Sequence, residues 1–254
     1  CESHDVTGAW FYVMGCINGR PLYNNEETEE WIPEVKRITL ANSFVDVLAD
    51  LHSLDPDEIG LSDLGKRDSY VGRQLKTWYR SWTSSIEGAA FDDARAHDLQ
   101  QFFLDNLPEQ EKARVVHGDY GLHNCLTGPD CTVAAVVDWE ISTLGDPLAD
   151  LAYALNFFPD PSDTIPISPE AATAVPGFPT RTEMAARYGS RTKRDLSNLD
   201  YYTAFNRWKS ACIVHGLYAR YMEGKKSSEG VDLEHMRSRI DGSLVLAEEA
   251  VNRL

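Results

Sequence analysis

The stretch from Arg114 to Asp138 constrains the fold most, because it breaks a largely helical chain with a strand, a loop and a hairpin. Arg114-Val115-Val116 is a short β run that leads into His117. Asn124 to Thr127 and Val133 to Val137 flank Gly128-Pro129-Asp130, a turn-forming triplet, so the two runs read as a hairpin. On both sides the period is helical. Ile38, Ala41, Phe44, Val45, Leu48 and Leu51 recur at three- and four-residue steps between Ile32 and His52, defining one apolar face. Further helices are expected from about Ser69 to Ser84, from Phe91 to Asn106 ahead of Leu107-Pro108, and near Pro147 to Phe157. In the final third Tyr202, Phe205, Trp208, Cys212, His215, Ala219 and Met222 share a face, which reads as buried core rather than a cofactor box. The class that emerges is α+β.

Two other segments carry information. Trp10 to Ile17 (WFYVMGCI), ended by Asn18-Gly19, reads as one buried strand and a turn. Pro159 to Pro179 holds six of the chain's twelve prolines, which excludes regular helix or strand and suits a lid or a mobile loop. No internal repeat is evident.

Composition narrows the function. The 254 residues suffice for one sizeable core, and 43% apolar residues fit a globular enzyme. A net charge of −16 argues against nucleic acid as a partner, since phosphate neutralisation needs clustered Lys and Arg. No apolar run is long enough for a membrane helix, and no basic stretch followed by an apolar one opens the chain. The five scattered cysteines, Cys1, Cys16, Cys125, Cys131 and Cys212, match no zinc pattern and read as reduced thiols in a cytoplasmic protein, a Cys125–Cys131 bridge across the turn being the minor alternative. The chain begins at Cys1 and its first methionine is Met14, which reads as an upstream segment missing from a fragment, a removed leader being the minor alternative.

The chemistry lies in His117-Gly118-Asp119-Tyr120-Gly121-Leu122-His123-Asn124 and in Asp138-Trp139-Glu140, fourteen residues beyond Asn124. Phosphoryl transfer from ATP needs a carboxylate at the attacking hydroxyl and oxygen ligands that hold Mg2+ against the phosphates. A loop at a strand end can present a carboxylate and, five residues later, an amide oxygen. A hairpin can then return a second carboxylate to the same metal. Asp119, Asn124 and Asp138 occupy those roles in that order, with the H-x-D-x-x-x-x-N spacing of a kinase catalytic loop.

With Gly145-Asp146-Pro147-Leu148-Ala149-Asp150-Leu151 added, the chain resembles the aminoglycoside phosphotransferase and choline kinase superfamily. It is most similar to the kinase-like domains associated with acyl-CoA dehydrogenases, through Phe11-Tyr12-Val13-Met14, Leu51-His52-Ser53-Leu54-Asp55-Pro56, Arg73-Gln74-Leu75 with Trp78, and Pro176-Gly177-Phe178-Pro179-Thr180-Arg181. The resemblance implies a protein-kinase-like fold: residues 1–20 as the end of an N-terminal lobe and hinge, 21–254 as the helical C-terminal lobe, and most of the N-terminal lobe absent. It implies Asp119 as catalytic base, Asn124 and Asp138 as magnesium ligands, and Met14, Gly15 and Cys16 as hinge backbone facing adenine. Leu126 and Val137 would form the adenine floor, with His117 and Asp150 as structural support. Trp208, Tyr218 and Arg220 are the expected substrate-pocket residues, under the proline-rich loop. The implied partner is a small-molecule hydroxyl acceptor, whether an amino sugar, a choline-like alcohol or a hydroxyacyl-CoA thioester. A homodimer and a functional link to an acyl-CoA dehydrogenase also fit the resemblance.

The sequence departs from a complete kinase in showing neither a glycine-rich phosphate loop nor a strand lysine, and Gly15 stands where the family's hinge usually has glutamate. Three readings therefore compete. They are an active ATP- and Mg-dependent small-molecule kinase, a non-catalytic nucleotide- or ligand-binding module, and a purely structural helical domain.

Overall fold

A computed structural model describes residues 3–165 and 167–254; Cys1 lies outside the described residues. In chain order it runs α1 (Asn25–Trp31), α2 (Glu34–Ser53), α3 (Tyr70–Ala89), α4 (Ala94–Asp105), β1 (Arg114–Val116), a 3-10 turn (Leu122–Asn124), β2 (Cys125–Thr127), β3 (Val133–Val136), β4 (Thr143–Gly145), α5 (Pro147–Leu155), α6 (Arg181–Thr192), α7 (Leu199–Met222) and α8 (Leu233–Val251). The expected helices and the hairpin are present, with ends displaced by a few residues. No helix among the described residues is long and apolar enough to cross a membrane.

Local chemistry fixes several helix starts. Asp146 caps α5, its side chain accepting from Leu148 N–H, and Pro147 occupies the first turn, where its missing N–H costs nothing. Thr180 and Glu183 form a reciprocal capping box that starts α6 immediately after the proline-rich segment. That segment, from Pro159 to Pro179, contains no helix or strand among its described residues.

Helix α7 forms the spine of the helical body and packs against α3, α4, α5 and α8. Its stripe is buried as the period predicts: Tyr202, Phe205, Trp208, Cys212, His215 and Ala219 are all inside, and only Met222 emerges. On α2 the buried face is Leu40, Ala41, Phe44, Val45, Leu48 and Ala49, joined by His52; Ile38 sits outside it.

The strands form two antiparallel pairs. In β1–β4, Arg114 faces Gly145 and Val116 faces Thr143. In β2–β3, Cys125 faces Val136, with a bulge at Leu126/Thr127. Cys125 and Cys131 are both buried and free, so no disulfide closes this hairpin. Arg20 bridges to Thr127 through two backbone hydrogen bonds of 3.0 and 2.8 Å, which ties the N-terminal segment to the hairpin edge.

The expected buried strand over Trp10 to Ile17 is not formed. The run belongs to no sheet, and Trp10, Tyr12, Val13, Met14 and Ile17 are exposed. A strand needs a neighbour for its backbone groups. The edge of β2 is instead engaged farther along the chain, at Arg20.

Candidate active site

Strand β1 delivers His117 to a loop whose shape is set from below by Asp150. His117 N–H and Gly118 N–H donate to the two Asp150 oxygens at 2.7 and 2.9 Å. Gly118 makes this turn at φ +86°, a left-handed conformation that a side chain resists, and an added Cβ would lie 3.3 Å from Ile141. Asp150 also accepts from His52 Nε2 at 3.3 Å, while the Tyr188 hydroxyl meets His52 Nδ1 at 2.7 Å. Burial pushes the Asp150 carboxyl up; the hydrogen bond and charge of His52 and the two backbone N–H groups outweigh it, leaving the group below its ordinary range.

His117 braces the same loop. Its Nε2 faces the Val137 carbonyl at 2.9 Å and must donate there, so Nδ1 accepts from Asp119 N–H at 3.3 Å. The ring is flanked by Tyr120 and Trp139, with centroids at 5.9 and 4.8 Å. Trp139 is itself tied down, Nε1 donating to Val136 O at 2.9 Å.

Asp119 is half-buried and surrounded by donors. The Tyr153 hydroxyl donates to Oδ1, His123 Nε2 lies 3.4 Å from the same oxygen, and Asn124 Nδ2 donates to Oδ2 at 3.2 Å and to the Asp119 carbonyl at 2.9 Å. Burial pushes this carboxyl up, but the bonds from His123, Tyr153 and Asn124, with the charge of His123, bring it below its ordinary value. Burial and the adjacent Asp119 raise the Tyr153 phenol, which stays a donor.

The hairpin brings the third residue in. Val137 N–H donates to Asn124 O at 2.9 Å, continuing the β2–β3 ladder by one pair and setting Asp138 just beyond Asn124. Asp138 is exposed and adopts φ +65°. Because Asn124 Nδ2 is turned to Asp119, its amide oxygen faces away and is left for another partner. Among the described residues no group of three His, Cys, Asp or Glu side chains converges to hold a metal. Asn124 and Asp138 instead offer two hard oxygen ligands. That donor set fits Mg2+, which keeps waters and takes phosphate oxygens alongside one or two protein groups.

The other expected residues divide. Leu126 and Val137 are half-buried on the hairpin, and Gly19 passes so close that an added Cβ would lie 3.2 Å from Leu126 Cβ. Met14 and Cys16 are exposed, and an added Cβ at Gly15 would meet nothing within 4 Å. Trp208 does not line a pocket. It is fully buried, with Nε1 donating to Ala96 O at 2.9 Å, because its place on α7 faces α4. Tyr218 packs edge-on against Phe91, with centroids at 5.9 Å, and Arg220 is exposed near the end of α7. Tyr153, His123 and His52, which sequence reasoning left without site roles, do reach the loop. Only the Asp119/His123 spacing, one helical turn apart, could have signalled any of them.

The sequence matches the profile of the phosphotransferase enzyme family over residues 1–186. It is 32% identical over 234 residues to Homo sapiens acyl-CoA dehydrogenase family member 11, covering 90% of this chain and 29% of that protein. The chain thus spans less than a third of the length of that relative. Among solved structures, a Ralstonia eutropha protein assigned as an aminoglycoside phosphotransferase superposes with a TM-score of 0.82 at 27% identity, over 98% of this chain and 76% of the other. An ADP-bound aminoglycoside phosphotransferase, APH(2'')-Ib, superposes at 0.50 with 16% identity over 92% and 71%, a likeness of fold.

Proposed function

The chain belongs to the phosphotransferase enzyme family, and from that premise we propose that it carries the acceptor-side machinery of an ATP- and magnesium-dependent kinase acting on a small-molecule hydroxyl. The observation that carries the reading is the joint placement of Asp119, Asn124 and Asp138 at one end of the hairpin, with Asp119 held by three side-chain donors.

Of the two Asp119 oxygens, Oδ1 receives Tyr153 and His123, whereas Oδ2 receives only Asn124 and keeps a lone pair for the acceptor hydroxyl. The acceptor oxygen forms its bond to the γ-phosphorus as the β–γ bridging bond breaks. The hydroxyl proton passes to Asp119 Oδ2, and ADP and a phosphate monoester are the products. A carboxyl held below its ordinary range is a weak base, so Asp119 contributes mainly by orienting the hydroxyl. Bound at Asn124 and Asp138, magnesium would neutralise charge on the β- and γ-phosphates.

Residues 1–20 are read as the hinge and 21–254 as the acceptor-side lobe, with Leu126 and Val137 beneath adenine and Met14 to Cys16 beside it. ADP in a structural neighbour supports the nucleotide class. The similarity to acyl-CoA dehydrogenase family members supports a functional link to such an enzyme and leans the acceptor toward hydroxyacyl compounds over amino sugars. A cytoplasmic location, no nucleic-acid or membrane partner, and a homodimer complete the proposal.

Asp119→Ala in the full-length protein tests it. Phosphoryl transfer to a panel of hydroxyl acceptors, read by mass spectrometry, should vanish while the circular dichroism spectrum and melt are retained. Turnover by the variant equal to wild type would remove the mechanism. Magnesium-dependent nucleotide binding without transfer in the wild type would instead favour the non-catalytic module.

A further inference from the structure

Lys209 stands on α7 and is only 8% exposed. A buried ammonium is expensive unless it is paired. Yet among the described residues Lys209 has neither an ion-pair nor a hydrogen-bond partner. Its neighbours are two ring faces, Tyr153 at 5.4 Å and Trp78 at 5.8 Å. Both rings are fixed in place: Tyr153 by its hydroxyl on Asp119, Trp78 by Nε1 donating to Gln74 Oε1 at 2.8 Å. Burial pushes the pKa of this ammonium down, and the charges of Asp150 and Asp119, carboxylates already committed to other donors, oppose that shift. Its Nζ is not among the buried polar atoms that are both unpartnered and sealed from solvent.

We propose that Lys209, seated against the Trp78 and Tyr153 rings, is the acceptor-binding cation of this site: its ammonium holds a carboxylate of the acceptor while Asp119 takes the hydroxyl. The proposal rests on the kinase reading above and names its substrate class, an anionic hydroxy acid. Three features support it. The ammonium has three donors and no protein acceptor, so a carboxylate would complete it. Tyr153 touches both groups, which puts the anion one tyrosine ring from the hydroxyl. A cationic acceptor such as an amino sugar or choline would bring like charge to Lys209, a repulsive element that selects against it.

The test uses full-length protein and Mg-ATP with ω-hydroxycarboxylates of graded length, their methyl esters, the matched amino alcohols, choline and kanamycin. Direct binding of each hydroxycarboxylate is measured alongside turnover. Wild type should prefer a hydroxycarboxylate over its ester and its amine. Lys209→Met, close in shape and uncharged, should cut the carboxylate-to-ester ratio of kcat/KM about tenfold or more, chiefly through KM. Lys209→Arg should retain part of it. Wild-type preference for the amines, no carboxylate binding at all, or an unchanged ratio in Lys209→Met would overturn the proposal. If Lys209→Met does not fold, the wild-type preference and the Lys209→Arg ratio decide. The two readings fail separately. Carboxylate binding that is lost in Lys209→Met but never leads to phosphate transfer would spare Lys209 and sink the kinase, while efficient phosphorylation of amino alcohols would do the reverse.

Discussion

Residues 10–17 and residues 114–127 both carry short apolar runs outside helices, and they behave in opposite ways. The first lies open to solvent in no sheet, though it is the more hydrophobic. The second is packed and held from a distance: β1 pairs with β4, Asp150 grips the loop backbone, and the Tyr120 hydroxyl reaches back to Phe44 O at 2.9 Å. An apolar run states a capacity for burial, and a partner realises it. In the loop after β1, partners from other elements (Asp150, Tyr153 and Phe44) add to those within the loop, so its geometry is over-determined.

That contrast can be broken at graded depth. Asp150→Ala removes the acceptor of two backbone N–H groups and of His52, buried at His117 and His52 and partly so at Gly118, and should cost about 3–5 kcal/mol in urea unfolding; a loss below 1 kcal/mol would mean the loop does not depend on it. Gly118→Ala forces a side chain into φ +86° against Ile141 and should cost about 1–2 kcal/mol, with activity falling alongside. A smaller change is expected at Tyr153→Phe, which removes a donor from Asp119. Because the folded pKa of Asp119 is depressed, its stabilisation is complete above the unfolded pKa and disappears as pH falls through the folded value. The variant should therefore lose stability and activity at higher pH than wild type on the acid side, and an unmoved acid limb would exclude Tyr153 as a donor. Val13→Ser, in the open segment, should shift stability by no more than about 0.5 kcal/mol; a larger loss would show that the run is covered in solution.

The local part of this structure could be read ahead of time. Helices α2 to α5 lie close to where their sequence signals put them, and the hairpin register sets Asn124 opposite Val137, one residue before Asp138. What the sequence concealed depends on contacts between distant segments. Tyr153 meets Asp119 across 34 residues and His52 meets Asp150 across 98, so neither could be read from spacing. Strand β4, three residues long, shows no period at all. Trp208 was misplaced because an aromatic on a buried stripe can serve packing or a ligand, and only its bond to Ala96 O decides. Lys209 was invisible for the converse reason: a lysine in a helix reads as surface until the rings around it are known.

The left-handed backbone of Asp138 has a consequence for how this site would decay. At φ +65° the residue that sterics prefer is glycine, and aspartate sits there at a cost of about 1 kcal/mol. A single-base drift to glycine (GAT or GAC to GGT or GGC) would thus be welcomed by the fold while removing the oxygen ligand proposed for magnesium. Selection for stability alone would push this position one way and selection for chemistry the other.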